Sequence, residues 1–328
     1  MIKTITNIIA IITVAQLLLF AVFLISAKKN QGFDKAALAL FLLANGIFIL
    51  NFLAFRYSEA ILAYSINFFF IGGTFGFLFG PLPYLYTKTV TTKEFSFTKK
   101  NILHFIPFIA VFCLTLIRFQ FQPYETKLEI YNTGLYSRTG VVLYLSLMHL
   151  ITLTYLVISF LIVRNKNLTL KGYYSSLDKI NFNWLKLVVS AFFIMWIVDI
   201  ANMAASLLEI NSTESRELLT FVSLFINFVF ANLLILKNLR LPEMEEVAET
   251  HKYEKSPLTL QNKNEILFKL EKIMTQEKLF LNSSLNLGEV ANKLSVMPRY
   301  LSQVINELKD QNFYDFVNTY RIEEAKKF

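Results

Sequence analysis

Cysteine and histidine are scarce in this chain, and the residue patterns of enzyme active sites are missing from it. The single cysteine, Cys113, excludes an intrachain disulfide. The three histidines, at positions 104, 149 and 251, do not have the spacing of metal ligands. No glycine-rich phosphate loop follows a strand pattern, and no nucleophile–base pair is evident. We therefore expect no metal site, no cofactor and no enzymatic activity.

Charged residues are also few, at 17% of the chain, whereas 55% of the residues are hydrophobic. A helix needs about 20 residues to cross about 30 Å of hydrocarbon, where its backbone must be hydrogen-bonded within its own segment. The sequence therefore predicts an all-α fold, with a seven-transmembrane-helix bundle over residues 1–240. The seven apolar runs lie at 5–27, 36–55, 61–87, 101–117, 139–163, 184–208 and 217–236.

Lysine and arginine are distributed unequally between the two sets of connections. One side carries 14 of them and the other carries 6. Because basic residues are retained on the cytoplasmic side, we expect the N-terminus outside and the C-terminus in the cytoplasm. The residues of the more basic side are Lys28, Lys29, Lys35, Lys88, Lys93, Lys99, Lys100, Arg164, Lys166, Lys171, Lys179, Lys186, Lys237 and Arg240.

Two ionisable residues stand out inside the apolar runs. Asp199 lies in the sixth run and His149 in the middle of the fifth. A carboxylate inside a membrane is costly and suggests ligand or proton sensing, but an interhelical hydrogen bond would also account for it. Both interpretations stay open for Asp199 and for His149. The glycine- and proline-rich stretch at 72–86 predicts either a close-packed, kinked helix or the wall of a ligand cavity.

The last quarter of the chain has a different composition. Residues 241–328 contain 12 basic and 14 acidic residues, so this part has a net charge of −2. Residues 241–261 carry a proline at position 242 and are rich in glutamate, which predicts a linker. From residue 262, apolar residues recur at helical spacing and predict a small all-helical domain over 262–328.

A two-helix unit is predicted near the end of the chain. Two runs of apolar residues at helical spacing flank a break at 295–297, and Pro298 suits the first position of the second helix. This spacing is typical of a helix-turn-helix, although a helical hairpin with a solvated face fits it as well. The polar face of the second helix carries residue types that suit base edges and phosphates, namely Arg299, Ser302, Gln303 and Asn306.

The segment LNLGEVANKLSVMPRYLSQVINELKDQNFYDFVNTYRIEEAKKF, residues 285–328, resembles the first half of the DNA-binding domain of AraC/XylS-type transcriptional regulators. The resemblance implies two helix-turn-helix units joined by a long helix, with base-contacting positions at Arg299, Ser302 and Gln303. Because the sequence ends within the joining helix, we expect only the first unit here. Three positions depart from the family pattern: Ser295, Met297 and Asp310 stand where glycine, a serine or threonine cap, and glycine are usual.

The whole arrangement resembles the multi-span AraC-type regulators of Bacteroidetes-like bacteria. It implies a sequence-specific transcriptional regulator in the bacterial cytoplasmic membrane, acting as a homodimer on promoter DNA. Its membrane domain would sense a small molecule or a membrane state in the lipid bilayer. The alternatives are a membrane receptor or transporter-like protein whose tail docks a protein, and a truncated, non-functional regulator copy.

The basic-residue asymmetry makes the topology testable. A reporter fused after Arg240 is expected to be active only as a cytoplasmic reporter, and one inserted at 118–138 only as an extracytoplasmic reporter. Paired alkaline phosphatase and fluorescent-protein fusions at both positions measure this. The reverse pattern would place the tail outside the cell and exclude a role at DNA.

Overall fold

The computed structural model describes residues 2–26, 33–92, 95–176, 183–207, 213–238 and 259–327. Most of the predicted linker, residues 241–258, lies outside the described residues. Within them the fold is helical, and the one extended pairing is an isolated antiparallel bridge between Tyr174 and Asn286. The prediction of an all-α chain is confirmed for this part.

Fourteen α-helices are described. They are α1 (Ile2–Ser26), α2 (Phe33–Arg56), α3 (Ser58–Tyr64), α4 (Pro81–Thr91), α5 (Lys99–Ile102), α6 (Ile106–Thr115), α7 (Tyr124–Thr133), α8 (Arg138–Lys171), α9 (Asn183–Leu207), α10 (Thr213–Asn238), α11 (Leu260–Glu277), α12 (Leu287–Lys293), α13 (Pro298–Lys309) and α14 (Phe313–Ala325).

Seven helical segments among the described residues are long and apolar enough to cross a membrane, which confirms the seven predicted runs. The third and fourth of them are assembled from several shorter helical pieces. They are Ile2–Ser26, Phe33–Arg56, Ile66–Thr91, Lys99–Gln120, Arg138–Lys171, Leu185–Ala205 and Glu214–Ile235.

The chain forms two compact units. The first contains Met1–Ile162 and Leu185–Leu241, and the second contains Val163–Trp184 together with Pro242–Phe328. The second unit thus includes the predicted tail and, in addition, the connection between the fifth and sixth apolar runs. Helix α8 contributes residues to both units.

The first unit exposes large apolar side chains on its outer surface. Leu19 is 72% exposed, Leu143 65% and Leu187 64%. Such a surface is unfavourable in water and favourable against hydrocarbon chains. Near the ends of α2 and α10, the Arg56 guanidinium donates to both carboxylate oxygens of Glu217 at 2.6 and 2.7 Å.

The third apolar segment is not a regular α-helix. It consists of 3₁₀ turns at Ile66–Phe68 and Ile71–Leu78, followed by α4. Its glycines allow close approach to neighbouring helices. A Cβ on Gly72 would lie 2.6 Å from the Asn51 Cβ, and one on Gly76 would lie 2.5 Å from the Met148 sulfur. Close packing therefore accounts for these glycines.

The second unit has its own apolar core. Each of its four main helices contributes the residues that the sequence periodicity predicts, and most are fully buried. They are Ile266, Leu270 and Met274 from α11, Leu287, Val290 and Ala291 from α12, Leu301, Val304 and Ile305 from α13, and Phe313, Phe316 and Val317 from α14. The amphipathic α11 packs on this module, as its pattern predicts.

The helix boundaries in the second unit follow from local chemistry. The side-chain oxygens of Asn286 and Asn312 accept hydrogen bonds from the amides of Glu289 and Asp315, both at 2.9 Å, and cap α12 and α14. Pro298 occupies the first turn of α13, as predicted, and Met297 provides no side-chain cap. Both Ser295 (φ +56°) and Asp310 (φ +53°) adopt the left-handed conformation that glycine usually takes.

Gly72 and Gly73 offer a matched test of the close packing. Gly72→Ala should lower the free energy of unfolding by about 1–3 kcal/mol, because the new methyl group meets the Asn51 side chain and the Ile47 carbonyl oxygen, 2.9 Å away. Gly73→Ala should change it by less than about 1 kcal/mol, since its nearest neighbour would lie at an ordinary 3.6 Å. Loss of monodisperse protein on heating in detergent measures both. Equal loss in the two variants would contradict the packing argument.

Candidate functional site

The predicted polar face of α13 is built by its amphipathic pattern. Leu301, Val304 and Ile305 are fully buried on one side of the helix. On the other side Arg299 and Asn306 are exposed, whereas Ser302 and Gln303 are half-buried. The structure therefore places the four predicted residues on one helix, but not at equal accessibility.

Arg299 is held by the tyrosine next to it. Its guanidinium lies 4.7 Å from the centre of the Tyr300 ring, and its Nη2 donates to the Tyr300 hydroxyl at 2.9 Å. Stacking on an aromatic ring limits the rotamers of a long side chain. Arg299 is thus a partly ordered, exposed planar donor.

Gln303 is engaged within the protein. Its amide nitrogen donates to Glu307 at 2.7 Å, and the other carboxylate oxygen of Glu307 pairs with Lys263 of α11, also at 2.7 Å. These hydrogen bonds, first that from Lys263 and then that from Gln303, lower the pKa of the Glu307 carboxyl. The Gln303 amide oxygen is buried without a hydrogen-bond partner among the described residues. Gln303 must therefore leave Glu307 before it can contact a base.

A short segment after α8 completes the second unit. The Ser175 amide donates to the Leu285 carbonyl at 3.1 Å, and the Leu287 amide donates to the Tyr173 carbonyl at 2.8 Å. Tyr173 also packs against the apolar core. We call residues 172–176 the docked segment, because backbone hydrogen bonds fasten it to the chain that leads into α12.

Arg321 of α14 fixes the docked segment in place. Its guanidinium donates to the carbonyl oxygens of Ser175 at 2.6 Å, Phe280 at 2.7 Å and Asn282 at 2.8 Å, and to the Ser175 hydroxyl at 3.0 Å. One side chain thus joins three separate stretches of chain. Near the same end of α14, the Glu324 carboxylate accepts hydrogen bonds from Lys278 and Lys327. These hydrogen bonds lower the pKa of the Glu324 carboxyl to about 2.

The first unit contains a cavity of about 260 Å³ next to Asp199. Its walls come from α2, α8, α9 and α10, together with Phe79. This volume lies just below the usual range of small-molecule sites, which is about 300–1,000 Å³. The cavity is mostly apolar, with a few polar side chains, which is the usual composition of a ligand site.

A chain of hydrogen bonds connects the polar residues of this cavity. The Asn45 amide donates to Asn227 at 2.9 Å, Asn227 donates to the Ser223 carbonyl at 2.9 Å, and the Ser223 hydroxyl donates to Asp199 Oδ1 at 2.9 Å. The interhelical hydrogen bond that the sequence suggests for Asp199 is therefore present. Asp199 also lines the cavity, so the two interpretations of this residue are compatible.

His149 is placed differently from Asp199. It is buried, and its carbonyl oxygen accepts a hydrogen bond from the Trp196 indole nitrogen at 3.1 Å, but its side chain does not line the cavity. The structure does not bring the two residues together in one site. Among the described residues no group of three or more metal-ligating side chains is present.

Sequence reasoning missed the docked segment and most of the cavity. The polar stretch YYSS at 173–176 carries no periodicity that would connect it with residues more than 100 positions later. Trp196 and Ser223 are unremarkable members of apolar runs. Asp199 carried a signal as a charge inside an apolar run, and Arg321 as part of the segment that resembles AraC/XylS-type regulators. Phe79 belongs to the stretch 72–86, for which a cavity wall was one of the two interpretations, and it lines the cavity.

Comparisons with family models, with curated proteins and with solved structures found no match to this chain.

The role of Arg321 can be tested by hydrogen exchange. In Arg321→Ala, loss of charge-assisted hydrogen bonds should destabilise the docked segment by at least about 2 kcal/mol. The amides of Ser175 and Leu287 should then exchange at least about 30-fold faster. Lys326→Ala removes an exposed charge directly after α14 and should leave these amides unchanged. Unchanged exchange in Arg321→Ala would mean that the backbone hydrogen bonds hold the segment by themselves.

Proposed function

We propose that this chain is a membrane-anchored, sequence-specific DNA-binding transcriptional regulator of a bacterial cytoplasmic membrane. Its seven apolar helices would form the sensor, with the N-terminus outside and the second unit in the cytoplasm. The observation that carries the proposal is the polar face of α13, with an ordered, exposed Arg299 opposite a fully buried apolar face. Asn306 on the same face adds a second exposed side chain of a base-reading type.

The geometry around α13 supports a helix-turn-helix. Helices α12 and α13 are joined by residues 294–297, and Ser295 supplies the left-handed conformation in this turn. Packing of Ala291 at 0% exposure allows the two helices to approach closely. The second helix of such a unit enters the major groove and presents the residues near its N-terminus, where Arg299 and Ser302 lie.

A covalent path supports coupling between sensing and DNA binding. Thr152 and Leu156 of α8 line the cavity next to Asp199. The same helix continues to Lys171 and leads directly into the docked segment, which is fastened to the second unit through Ser175. A change in α8 on ligand binding would therefore reach the chain that enters α12.

Electrostatics favour a dimer on DNA. Residues 284–328 contain 6 basic and 6 acidic residues, so their non-specific attraction to phosphates is small. Each bidentate base contact contributes about 1–3 kcal/mol, whereas a specific site of about 10⁻⁸ M needs about 11 kcal/mol. Two chains in one membrane raise the effective concentration of the second unit and reduce this difference.

A second candidate function is docking of a protein by the tail. It is favoured by the occupied state of Gln303 and by the net charge of −2 over residues 241–328. The two functions differ in salt dependence, because binding to DNA weakens steeply with salt in proportion to the phosphates contacted.

Selection from random-sequence DNA by the full chain in lipid nanodiscs tests the proposal. A defined sequence should be enriched. For the enriched site, Arg299→Ala should weaken binding by about 1–3 kcal/mol and relax the preference at one base position, because a bidentate contact to guanine is lost. Binding is measured by fluorescence anisotropy across a salt series.

Lys269→Ala is the matched control, since it removes the same charge from an exposed position on α11. It should leave the sequence preference intact. Absence of enrichment at every salt concentration, or equal effects of the two variants on sequence preference, would contradict DNA recognition by α13.

A further inference from the structure

The hydrogen-bond donors that line the cavity are directed at the protein itself. The hydroxyls of Thr152 and Thr220 donate to backbone carbonyls one turn earlier, at 2.9 and 2.8 Å, and the Ser223 hydroxyl donates to Asp199. The Trp196 indole donates to the His149 carbonyl. The amide nitrogens of the three lining asparagines each donate within the protein as well. Among these groups, the donor capacity left is one amide hydrogen on Asn45 and one on Asn227.

Acceptor capacity is left over. Asp199 uses Oδ1 to accept from Ser223, and no described residue donates to its second oxygen. The side-chain oxygen of Asn202 likewise accepts no hydrogen bond from the described residues, although its nitrogen donates to two carbonyls. A site whose spare acceptors include a carboxylate oxygen favours a ligand that donates hydrogen bonds.

The charge of the cavity lining also favours a ligand that donates hydrogen bonds. Asp199 is the one charged side chain among the described residues that line it, and no lysine, arginine or histidine is present in the lining. A carboxylate in apolar surroundings is costly unless a cation or several donors compensate its charge. Among the described residues, the one group that donates to this carboxylate is the neutral hydroxyl of Ser223.

The apolar walls are rich in aromatic rings. Six of them line the cavity: Phe41, Phe48, Phe52, Phe79, Phe192 and Trp196. The Phe41 ring meets Phe192 edge to face at 4.9 Å, and Phe79 meets Phe48 edge to face at 5.1 Å. Rings in mutually perpendicular orientations present their electron-rich faces in different directions, and such faces attract organic cations.

We infer that this cavity binds a small organic ammonium ion with an apolar body, whose charged nitrogen pairs with Asp199 and whose carbon groups lie against the aromatic rings. The ligand class follows from the spare acceptors, the uncompensated carboxylate and the aromatic lining together. The cavity of about 260 Å³ restricts the ligand to a compact molecule. The inference rests on the proposed function only in making this cavity the sensor site, and the binding itself is independent of DNA.

Direct binding to the full chain in lipid nanodiscs tests the inference. Each ammonium probe is compared with a neutral or anionic compound of similar shape. Phenethylamine is compared with 2-phenylethanol and phenylacetate, cyclohexylamine with cyclohexanol, and tetramethylammonium with tert-butanol. At least one ammonium probe should bind about tenfold or more tightly than its counterparts. Calorimetric titration measures this, with empty nanodiscs to subtract partition into lipid. Equal binding of charged and neutral probes, or no binding of any ammonium probe, would overturn the inference.

Two variants separate the charge of Asp199 from its hydrogen bond. Asp199→Asn keeps an acceptor for Ser223 but removes the charge, and it should abolish the preference for ammonium probes. Ser223→Ala removes the donor and keeps the charge, so the preference should persist. If the two variants lose the preference equally, Asp199 acts through the helix-to-helix hydrogen bond and the inference fails.

The wild-type comparison of charged and neutral probes stands even if Asp199→Asn does not fold. Failure of this inference is also distinguishable from failure of the proposed function. Ammonium binding without any selected DNA sequence would preserve the ligand site and remove the regulator proposal. A selected DNA sequence without ammonium binding would do the reverse.

Discussion

The first unit depends on one constraint: polar groups that are surrounded by apolar side chains have no water to form hydrogen bonds with. Backbone amides and carbonyls in such surroundings must bond within their own segment, and this is why each apolar run is helical. The same constraint acts on the third segment, although its glycine-containing part forms 3₁₀ turns and not a regular α-helix. Close approach to α2 and α8 there compensates for the poorer hydrogen-bond geometry of the turns.

The same constraint shapes the cavity. Asn45 of α2 donates to Asn227 of α10, Asn227 donates to Ser223 within α10, and Ser223 donates to Asp199 of α9. The Asp199 carboxylate is the last acceptor of this series, and one neutral hydroxyl does not cancel its charge. Structural bracing and ligand selection are therefore two consequences of one arrangement, since the hydrogen bonds that join the helices also decide which groups are left to face a ligand.

In the second unit, the positively charged Arg321 joins separate stretches of chain through its hydrogen bonds. It gathers carbonyl oxygens from the docked segment, from the 3₁₀ turn at Leu279–Leu281 and from the chain before α12. An arginine can do this because its guanidinium presents five donors in a rigid plane. As a result, the connection between the fifth and sixth apolar runs belongs to the same compact unit as α13, and a helix that lines the cavity leads directly into that unit.

The sequence by itself determined the helical class, the seven apolar segments and the core residues of α11 to α14, because periodicity and segment length are local properties. It also determined Pro298 at the start of α13 and singled out Asp199 as a costly charge. Only the tertiary structure decided that Asp199 faces a cavity and His149 does not, that Gln303 is tied to Glu307, and that residues 172–176 dock beside α12. These features join residues from tens to more than a hundred positions apart or depend on which way a side chain points, and no local pattern encodes either.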